Sequence, residues 1–419
     1  MISRRSLAAE LTARKIADWV VIERAQELAT IAEDRPLRRT EQRMRWTVIV
    51  HHDVARGRGT ARLELGTREG NPREIVDQAV SLANAAIGPP WQSTPAAAPA
   101  KVNVLDATLD KAILADVAAE IVARARRPSG TTVQLGLELV REHVSVQAES
   151  GFHTAWTATN LSANALVALG DHSLPVARTA RRRVDLDLDD ALATAATDLA
   201  LVATAGTPVP GRCAVILRAD ALLHGGGLGM WSVFADHASA EIERQGLTRY
   251  RQAAPIAAGA DQIAEPLTIS SDGALDFGSL SAPIGDEGDA VRRFMLVERG
   301  VAVGLGISAR EAARRKVDPN GGVRNLVIYR GTWNELAPVG RTIEVRRLRS
   351  LSIDPYTGDA SLELGLSIDR QTDKPFTGGT LRLDLVSALA HARRSATPVR
   401  RGPYLGPAAV LIDDVELLG

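Results

Sequence analysis

The second half of the chain consists mainly of strand-like runs. Beyond residue 206, runs rich in valine, leucine and isoleucine recur roughly every 10–15 residues, with turn residues between them. They include PLTISSD (266–272), RNLVIYRG (324–331), TIEVRRLRSLSID (342–354), ASLELGLSID (360–369) and AAVLIDDVELL (408–418). In the third run arginine alternates with apolar residues, as a strand with one solvated face requires. The pattern predicts a mostly-β domain, of sandwich or barrel-like form.

The beginning of the chain mixes helical and strand patterns. Residues 3–32 predict a helix, followed by a second helix or a strand. WTVIVHHDVARGRGTARLEL (46–65) predicts a hairpin, because two alternating runs flank a glycine-containing turn. Asn71 and Pro72 then predict the N-cap and the first turn of a helix. Helices and a hairpin in this order predict an α+β domain.

The central region continues the same mixture. Apolar residues at helical spacing predict helices over 109–127 and 189–205. Between them, residues 135–169 predict three strands in a meander, with turns near Glu142 and Gly151.

A proline- and glycine-containing segment, GTPVPGR (206–212), predicts the boundary between two domains. We therefore expect an N-terminal α/β domain with hairpins and packed helices over 1–205, and a C-terminal mostly-β domain over 206–419. The overall fold class is α+β.

Composition excludes some classes of function. Lysine plus arginine equals aspartate plus glutamate at 50 each, so no overall basic field favours nucleic acid or an anionic membrane. No apolar run approaches the roughly 18 residues of a membrane span. Cys213 is the single cysteine, so no internal disulfide can form. We expect a cytoplasmic protein with a buried structural thiol.

The histidines do not form an obvious metal site. Zinc needs three or four nitrogen, sulfur or oxygen ligands at fixed geometry. His224 and His237 are thirteen residues apart, with Asp236 beside the second, and ligands on one helical face are three or four residues apart. His51-His52-Asp53 lies in the predicted hairpin, where we expect a solvated turn.

Carboxylates cluster at Asp286-Glu287-Gly288 and Asp289. Such groups could act as acid and base, with His237 as a further partner. The alternative is a solvated or ion-paired loop without chemistry.

A set of segments carries a resemblance to known proteins. In chain order they are NPREIVDQAVSLANA (71–85), SVQAESGFHTAWTATNLSANALVAL (145–169), GRCAVILRADALL (211–223), PIGDEGDAVRRFMLVERGVAVG (283–304) and SLSIDPYTGDASLELGLSID (350–369). These segments resemble the TldD/PmbA family of modulator-of-gyrase proteins, which includes the heterodimeric TldD/TldE peptidases. The resemblance implies a two-domain subunit that pairs with a second copy of the fold.

The resemblance also implies which subunit this chain is. In the family, one subunit binds zinc through H-E-x-x-x-H and a C-terminal cysteine, and the other lacks the metal and helps to enclose the peptide. Here only His224 falls on a ligand position. Gly225 replaces the glutamate, Leu228 is assigned to the second histidine, and no cysteine follows Cys213. The chain is therefore identified as similar to the TldE/PmbA-type subunit.

The implied function is that of a non-catalytic subunit without a cofactor of its own. A TldD-like partner with an intact motif would hold the zinc, and the pair would degrade or trim unfolded peptides such as leader peptides. Two alternatives stay open: a peptide-binding or chaperone-like protein without proteolysis, and a self-sufficient hydrolase with another site.

Two turns and one histidine are the candidate contacts for peptide or partner. They are His224, the turn Asp286, Glu287 and Gly288, and the turn Thr357, Gly358 and Asp359. We expect the two glycines to adopt backbone angles that a side chain opposes, and the carboxylates to cap backbone amides or to pair with arginines.

Overall fold

The structure is a computed structural model, and it describes residues 2–33, 37–55, 57–66, 70–91, 97–334 and 340–419. Part of the predicted link STPAAAPAK (93–101) lies outside the described residues. The helices are α1 (Arg4–Ala13), α2 (Pro72–Ala85), α3 (Leu114–Arg124), α4 (Leu188–Val202), α5 (Ala219–Leu222), α6 (Ser232–His237), α7 (Ala240–Arg244), α8 (Ala309–Arg315) and α9 (Leu385–His391).

The strands divide between the two halves. Those of the first half are β1 (Asp18–Ala32), β2 (Leu37–Val54), β3 (Gly57–Leu65), β4 (Ile87–Gly88), β5 (Thr132–Ala148), β6 (His153–Leu169) and β7 (His172–Ala180). Those of the second half are β8 (Gly211–Arg218), β9 (Ile269–Asp272), β10 (Arg293–Glu298), β11 (Val301–Ala302), β12 (Asn325–Ile328), β13 (Thr342–Ile353), β14 (Asp359–Asp369), β15 (Lys374–Phe376), β16 (Thr380–Asp384), β17 (Arg393–Arg394), β18 (Pro398–Arg401), β19 (Tyr404–Pro407) and β20 (Ala409–Leu418).

The N-terminal sheet has the strand order β4-β3-β2-β1-β5-β6-β7, and its strands pair antiparallel. Helices α1 and α2 cover one end of one face, where Trp46 is almost completely buried. Helices α3 and α4 cover the other end through a separate cluster of leucines, valines and alanines. As predicted, the Asn71 side chain caps α2 by accepting a hydrogen bond from the Arg73 amide.

Two predictions for the first half are wrong. Residues 135–169 form two long strands with one turn at Gly151, because Glu142 lies within β5 and accepts a hydrogen bond from Gln26 on β1. Glu142 lines a cavity along the sheet together with Gln26 and Glu138, so its polarity does not mark a turn. The predicted turn at His51-His52-Asp53 lies within β2, and His51 is buried against Trp91. The helix predicted over 109–127 is present as α3, but it is shorter than expected because it begins at Leu114 and ends at Arg124.

The C-terminal half contains a closed barrel of five strands among the described residues. Its order is β13-β8-β20-β16-β14, and β14 pairs back to β13. A second sheet has the order β11-β10-β9-β12-β19-β18. Both contribute to one core, in which the rings of Trp231 and Tyr404 lie 6.2 Å apart. The barrel-like alternative of the sequence prediction is therefore confirmed, and the overall class is α+β with 22% helix and 42% strand.

The two halves contact each other through apolar and charged groups. Ile284 packs into a cluster with Val20, Ile22 and other residues of the N-terminal sheet. Asp198 of α4 is buried and accepts hydrogen bonds from Arg346 (2.6 Å) and Arg347 (2.7 Å) of β13. Two arginines of the second half thus satisfy a buried carboxylate of the first half, so these charge-assisted hydrogen bonds join the two halves. No helix in the described part of the chain has the length and apolarity needed to span a membrane.

Candidate functional site

The segment that follows β8 stops being helical where the H-E-x-x-x-H motif would begin. Helix α5 ends at Leu222, and His224 lies in the turn after it. At Gly225 the backbone has φ of 78°, a left-handed conformation that an L side chain opposes. A glutamate at this position would be strained. The chain therefore lacks the glutamate that would act as general base, and the backbone conformation here also disfavours one.

The end of the motif corrects our assignment. Counted from His224, the sixth position of H-E-x-x-x-H is Gly229, one residue beyond the Leu228 to which the sequence comparison assigned the second histidine. Gly229 has φ of 52°, and a Cβ there would overlap the carbonyl oxygen of Leu222. A histidine at this position therefore cannot be accommodated without movement of the backbone. Leu228 instead packs against the C-terminal core.

The donors around His224 do not fit a zinc ion. Burial lowers the pKa of His224 and so favours its neutral form, but a single imidazole does not make a zinc site. Cys213 is buried in β8, where it faces the carbonyl of Val415 and burial raises the pKa of its thiol. The described residues contain no group of three histidine, cysteine, aspartate or glutamate side chains placed to bind a metal.

His237 is buried at the end of α6. Its Nδ1 lies 3.0 Å from the hydroxyl of Thr248, and burial followed by the nearby Arg249 lowers its pKa. Burial raises the pKa of the neighbouring Asp236.

The turn Asp286-Glu287-Gly288 contacts the chain's own N-terminal sheet. Asp286 accepts hydrogen bonds from Arg24 of β1 (3.1 Å) and Arg62 of β3 (3.2 Å). Sequence reasoning anticipated arginine partners for these carboxylates but could not identify them, because they lie more than 200 positions away in the chain.

Glu287, beside this ion pair, has a perturbed carboxyl group. Burial, followed by the nearby Asp289, raises the pKa of Glu287 to about 7. The carboxyl thus carries a proton over a wider range of pH than an exposed glutamate.

The second predicted turn, Thr357-Gly358-Asp359, lies against the start of α6 and the side chain of Arg249. Arg249 donates hydrogen bonds to the Thr357 carbonyl (2.5 Å) and to Asp384 (2.8 Å). A Cβ at Gly358 would crowd Val386. The side chain of Asp359 is exposed and, after Asp384, is close enough to Arg249 to raise the pKa of that arginine, but within the described part of the chain it forms no salt bridge.

Sequence reasoning did not predict three cavities that lie along the N-terminal sheet. The largest of the three has a volume of about 1020 Å³ and is lined by Glu27, Arg43, Arg45 and other polar residues. Two smaller neighbours have volumes of about 370 and 300 Å³. Arg45 lines all three cavities. The only sequence signal was the run of arginines at 38–45.

Comparison with known proteins agrees with this architecture. The sequence profile of the PmbA/TldA metallopeptidase C-terminal domain matches residues 210–419, half of the chain. No protein with a curated description matches.

Solved structures match across almost the whole chain. A modulator of DNA gyrase from Bacteroides thetaiotaomicron is 15% identical, with a TM-score of 0.78, and the match covers 99% of this chain and 98% of that one. A similar protein from Thermotoga maritima is 15% identical, with a TM-score of 0.76 and 99% of both chains covered. TldE from Thermococcus kodakarensis is 15% identical, with a TM-score of 0.76, and the match covers 98% of this chain and 100% of that one. These structures share the fold, and together with the matched C-terminal profile they identify the chain as a member of the PmbA/TldD family of metallopeptidase-related proteins.

Proposed function

We propose that this chain is the metal-free, non-catalytic subunit of a two-subunit cytoplasmic metallopeptidase. Its partner would be a TldD-like subunit that carries an intact H-E-x-x-x-H motif and the zinc ion. The pair would degrade or trim unfolded peptides such as leader peptides. In this proposal the chain contributes walls of the reaction chamber and no ligand to the metal.

The observation that carries the proposal is the degenerate motif after β8. Zinc hydrolases need several protein ligands and a carboxylate or equivalent base near the metal-bound water. Here His224 has neither a glutamate nor a second histidine beside it, and the backbone at Gly225 and Gly229 opposes both replacements. Membership of a metallopeptidase-related family then supports a role beside a catalytic subunit.

The self-sufficient hydrolase receives less support from the described contacts. The carboxylate of Asp286 is paired with Arg24 and Arg62, whereas His237 contacts Thr248. Asp286 and His237, the candidate acid and base, thus contact different residues and form no hydrogen bond with each other.

Reconstitution tests the proposed function. The chain and a TldD-like protein with the intact motif, preferably from the same genome, are purified separately and mixed with an unfolded peptide. We expect negligible cleavage by the isolated chain and a gain of at least about tenfold for the mixture over the partner alone. A mixture in which the partner's glutamate is replaced by glutamine is the control. Chelator-sensitive cleavage by the isolated chain would reject the proposal.

We further propose that the turn Thr357-Gly358-Asp359 forms part of the wall toward peptide or partner. What supports this is the exposed carboxylate of Asp359, which forms no salt bridge in the described part of the chain, on a turn to which Arg249 donates a hydrogen bond. In the reconstituted pair, Asp359→Ala should reduce assembly or turnover while the melting temperature of this chain changes little. Glu363→Ala, on the same strand, is the control. Full assembly and turnover in Asp359→Ala would assign the turn a structural role only.

A further inference from the structure

Part of strand β2 in the N-terminal sheet has an unpaired edge. Strand β2 pairs with the whole length of β1, from Asp18 opposite His51 to Ala32 opposite Leu37. On its other side it pairs with β3 only as far as Trp46. Within the described residues, no strand or loop backbone bonds to that side of residues 37–45. We call residues 37–45 the open edge.

The register shows which backbone groups face outward. The amide of Glu33 donates to Leu135 of β5 (3.1 Å), and the amide of Glu149 donates to Trp19 of β1 (3.0 Å). Bonded pairs alternate in antiparallel sheets, so odd-numbered residues of β1 bond to β5 and even-numbered ones bond to β2. Because Arg24 lies opposite Arg45, the residues of β2 that bond to β1 are odd-numbered. The outward-facing amides and carbonyls of the open edge are therefore those of residues 38, 40, 42 and 44.

The open edge is strongly basic. Its sequence, LRRTEQRMR, contains four arginines and one glutamate. Glu41 is paired with Arg39 (2.9 Å) and Arg43 (2.7 Å). Arg38 and Arg45 have no ion-pair or hydrogen-bond partner within the described part of the chain. The residues of the open edge therefore carry a net positive charge, and two of their arginines form no salt bridge in the described part of the chain.

A cavity lies beside this edge and opens onto it. The cavity of about 1020 Å³ is lined by residues 41–45 of the edge, and Arg45 also borders the two smaller cavities. An exposed strand edge with space beside it is the surface on which an extended peptide can add as a further strand, with main-chain hydrogen bonds providing affinity. An alternative role for the charged side chains is to prevent this edge from pairing with the edge of another molecule. That role would not require a cavity beside the edge.

We propose that the open edge binds an extended peptide segment that carries acidic side chains, with Arg45 as the principal partner for a carboxylate. The nine residues of the edge match a segment of about 30 Å when extended. The choice of a peptide as ligand rests on the function proposed above, whereas the preference for acidic side chains rests on the charge of the edge.

The test is a binding measurement on the full-length chain alone. A fluorescein-labelled peptide of roughly twelve residues with alternating aspartate and threonine is titrated with protein, and anisotropy is recorded at low salt, where exposed charges are least screened. The matched probe has asparagine in place of aspartate. The variants are Arg45→Gln and Gln42→Pro, the latter removing one outward-facing amide at a position where an edge strand tolerates proline. Their controls are Arg349→Gln, an exposed arginine of β13, and Gln42→Ala, which retains the amide.

We expect the aspartate peptide to bind several-fold more tightly than the asparagine peptide. Arg45→Gln should weaken its binding about two- to fivefold, and Gln42→Pro about three- to tenfold, because a single exposed ion pair or hydrogen bond has an effect of that size. The two controls should bind as the unchanged chain does. If Gln42→Pro fails to fold, Arg45→Gln and the asparagine peptide still decide the question.

Several results would overturn the inference. They are no binding by the unchanged chain, equal binding of both peptides, and unchanged affinity in Arg45→Gln. Self-association of Arg45→Gln with unaltered peptide binding would assign the edge a protective role. Loss of assembly with a TldD-like partner and unaltered peptide binding would make it a subunit interface. Failure of the proposed function would appear differently, as no gain of cleavage on mixing the two subunits.

Discussion

At the scale of single residues, the backbone conformation after β8 is a stronger argument against a zinc site than the missing side chains are. Gly225 and Gly229 both have positive φ, and the position of Gly229 against the Leu222 carbonyl excludes any larger residue. The sequence was sufficient to show that a glutamate is absent. It could not show that a side chain at Gly229 meets backbone atoms, because that contact depends on where the helix ends.

A substitution at Gly229 tests this reading. Gly229→Ala should lower the free energy of unfolding by about 2–4 kcal/mol, because the added Cβ meets backbone at a positive φ. Gly226→Ala is the matched control: it has positive φ but open space around its Cβ, so about 1–2 kcal/mol is expected. Denaturant unfolding measures both. Equal losses in the two variants would show that Gly229 is not crowded.

Glu287 gives the chain a predicted pH dependence. Its pKa is raised from 4.5 to about 7, so the folded state holds a proton that the unfolded state releases between these values. Stability from this group is therefore fully present below pH 4.5, falls as the pH rises to about 7, and remains lower above it. Glu287→Gln should be about 1–3 kcal/mol more stable than the unchanged chain at pH 8, with the difference vanishing near pH 4.5.

The same unfolding measurement on Glu298→Gln, an exposed glutamate of β10, is the control for Glu287. It should show no difference at either pH. A pH-independent gain in Glu287→Gln would mean that the carboxyl is already ionised in the folded chain over the whole range.

At the scale of elements, sequence patterns predicted the helices and strands whose formation depends on residues close together in the chain. The hairpin of β2 and β3, the capped start of α2 and most strands of the second half follow from alternation and capping. The division of residues 135–169 was wrong, because the polar residues around Glu142 belong to a strand whose exposed face lines a cavity. The bonds from Arg24 and Arg62 to Asp286 could not be predicted, since they join residues distant in sequence.

The ion pairs of Asp286 yield a prediction at this scale. Asp286→Asn removes its charge from Arg24 and Arg62 while keeping its size, and all three side chains are partly exposed. The expected loss in free energy of unfolding is about 0.5–1.5 kcal/mol, decreasing at high salt. Asp359→Asn, which removes an exposed carboxylate that forms no salt bridge in the described part of the chain, should have a smaller effect. A salt-independent loss would assign the effect to something other than these pairs.

At the scale of the whole molecule, the fold and the family were predictable, and the geometry that positions the site was not. The strand-rich second half and the segments that resemble the family predicted the α+β fold class. The barrel closed by the pairing of β13 with β14 confirms that prediction. The contact of Ile284 and Asp286 with the N-terminal sheet joins the two halves. The open edge depends on where β3 ends, which alternation alone does not define.

The account's central claim is that this chain binds no catalytic zinc. Elemental analysis of the chain, purified alone after exposure to excess zinc and then dialysed, tests it most directly. We predict well below one zinc per chain, about 0.1 or less, and no change in His224→Ala. About one tightly held zinc per chain that is lost in His224→Ala would contradict the account.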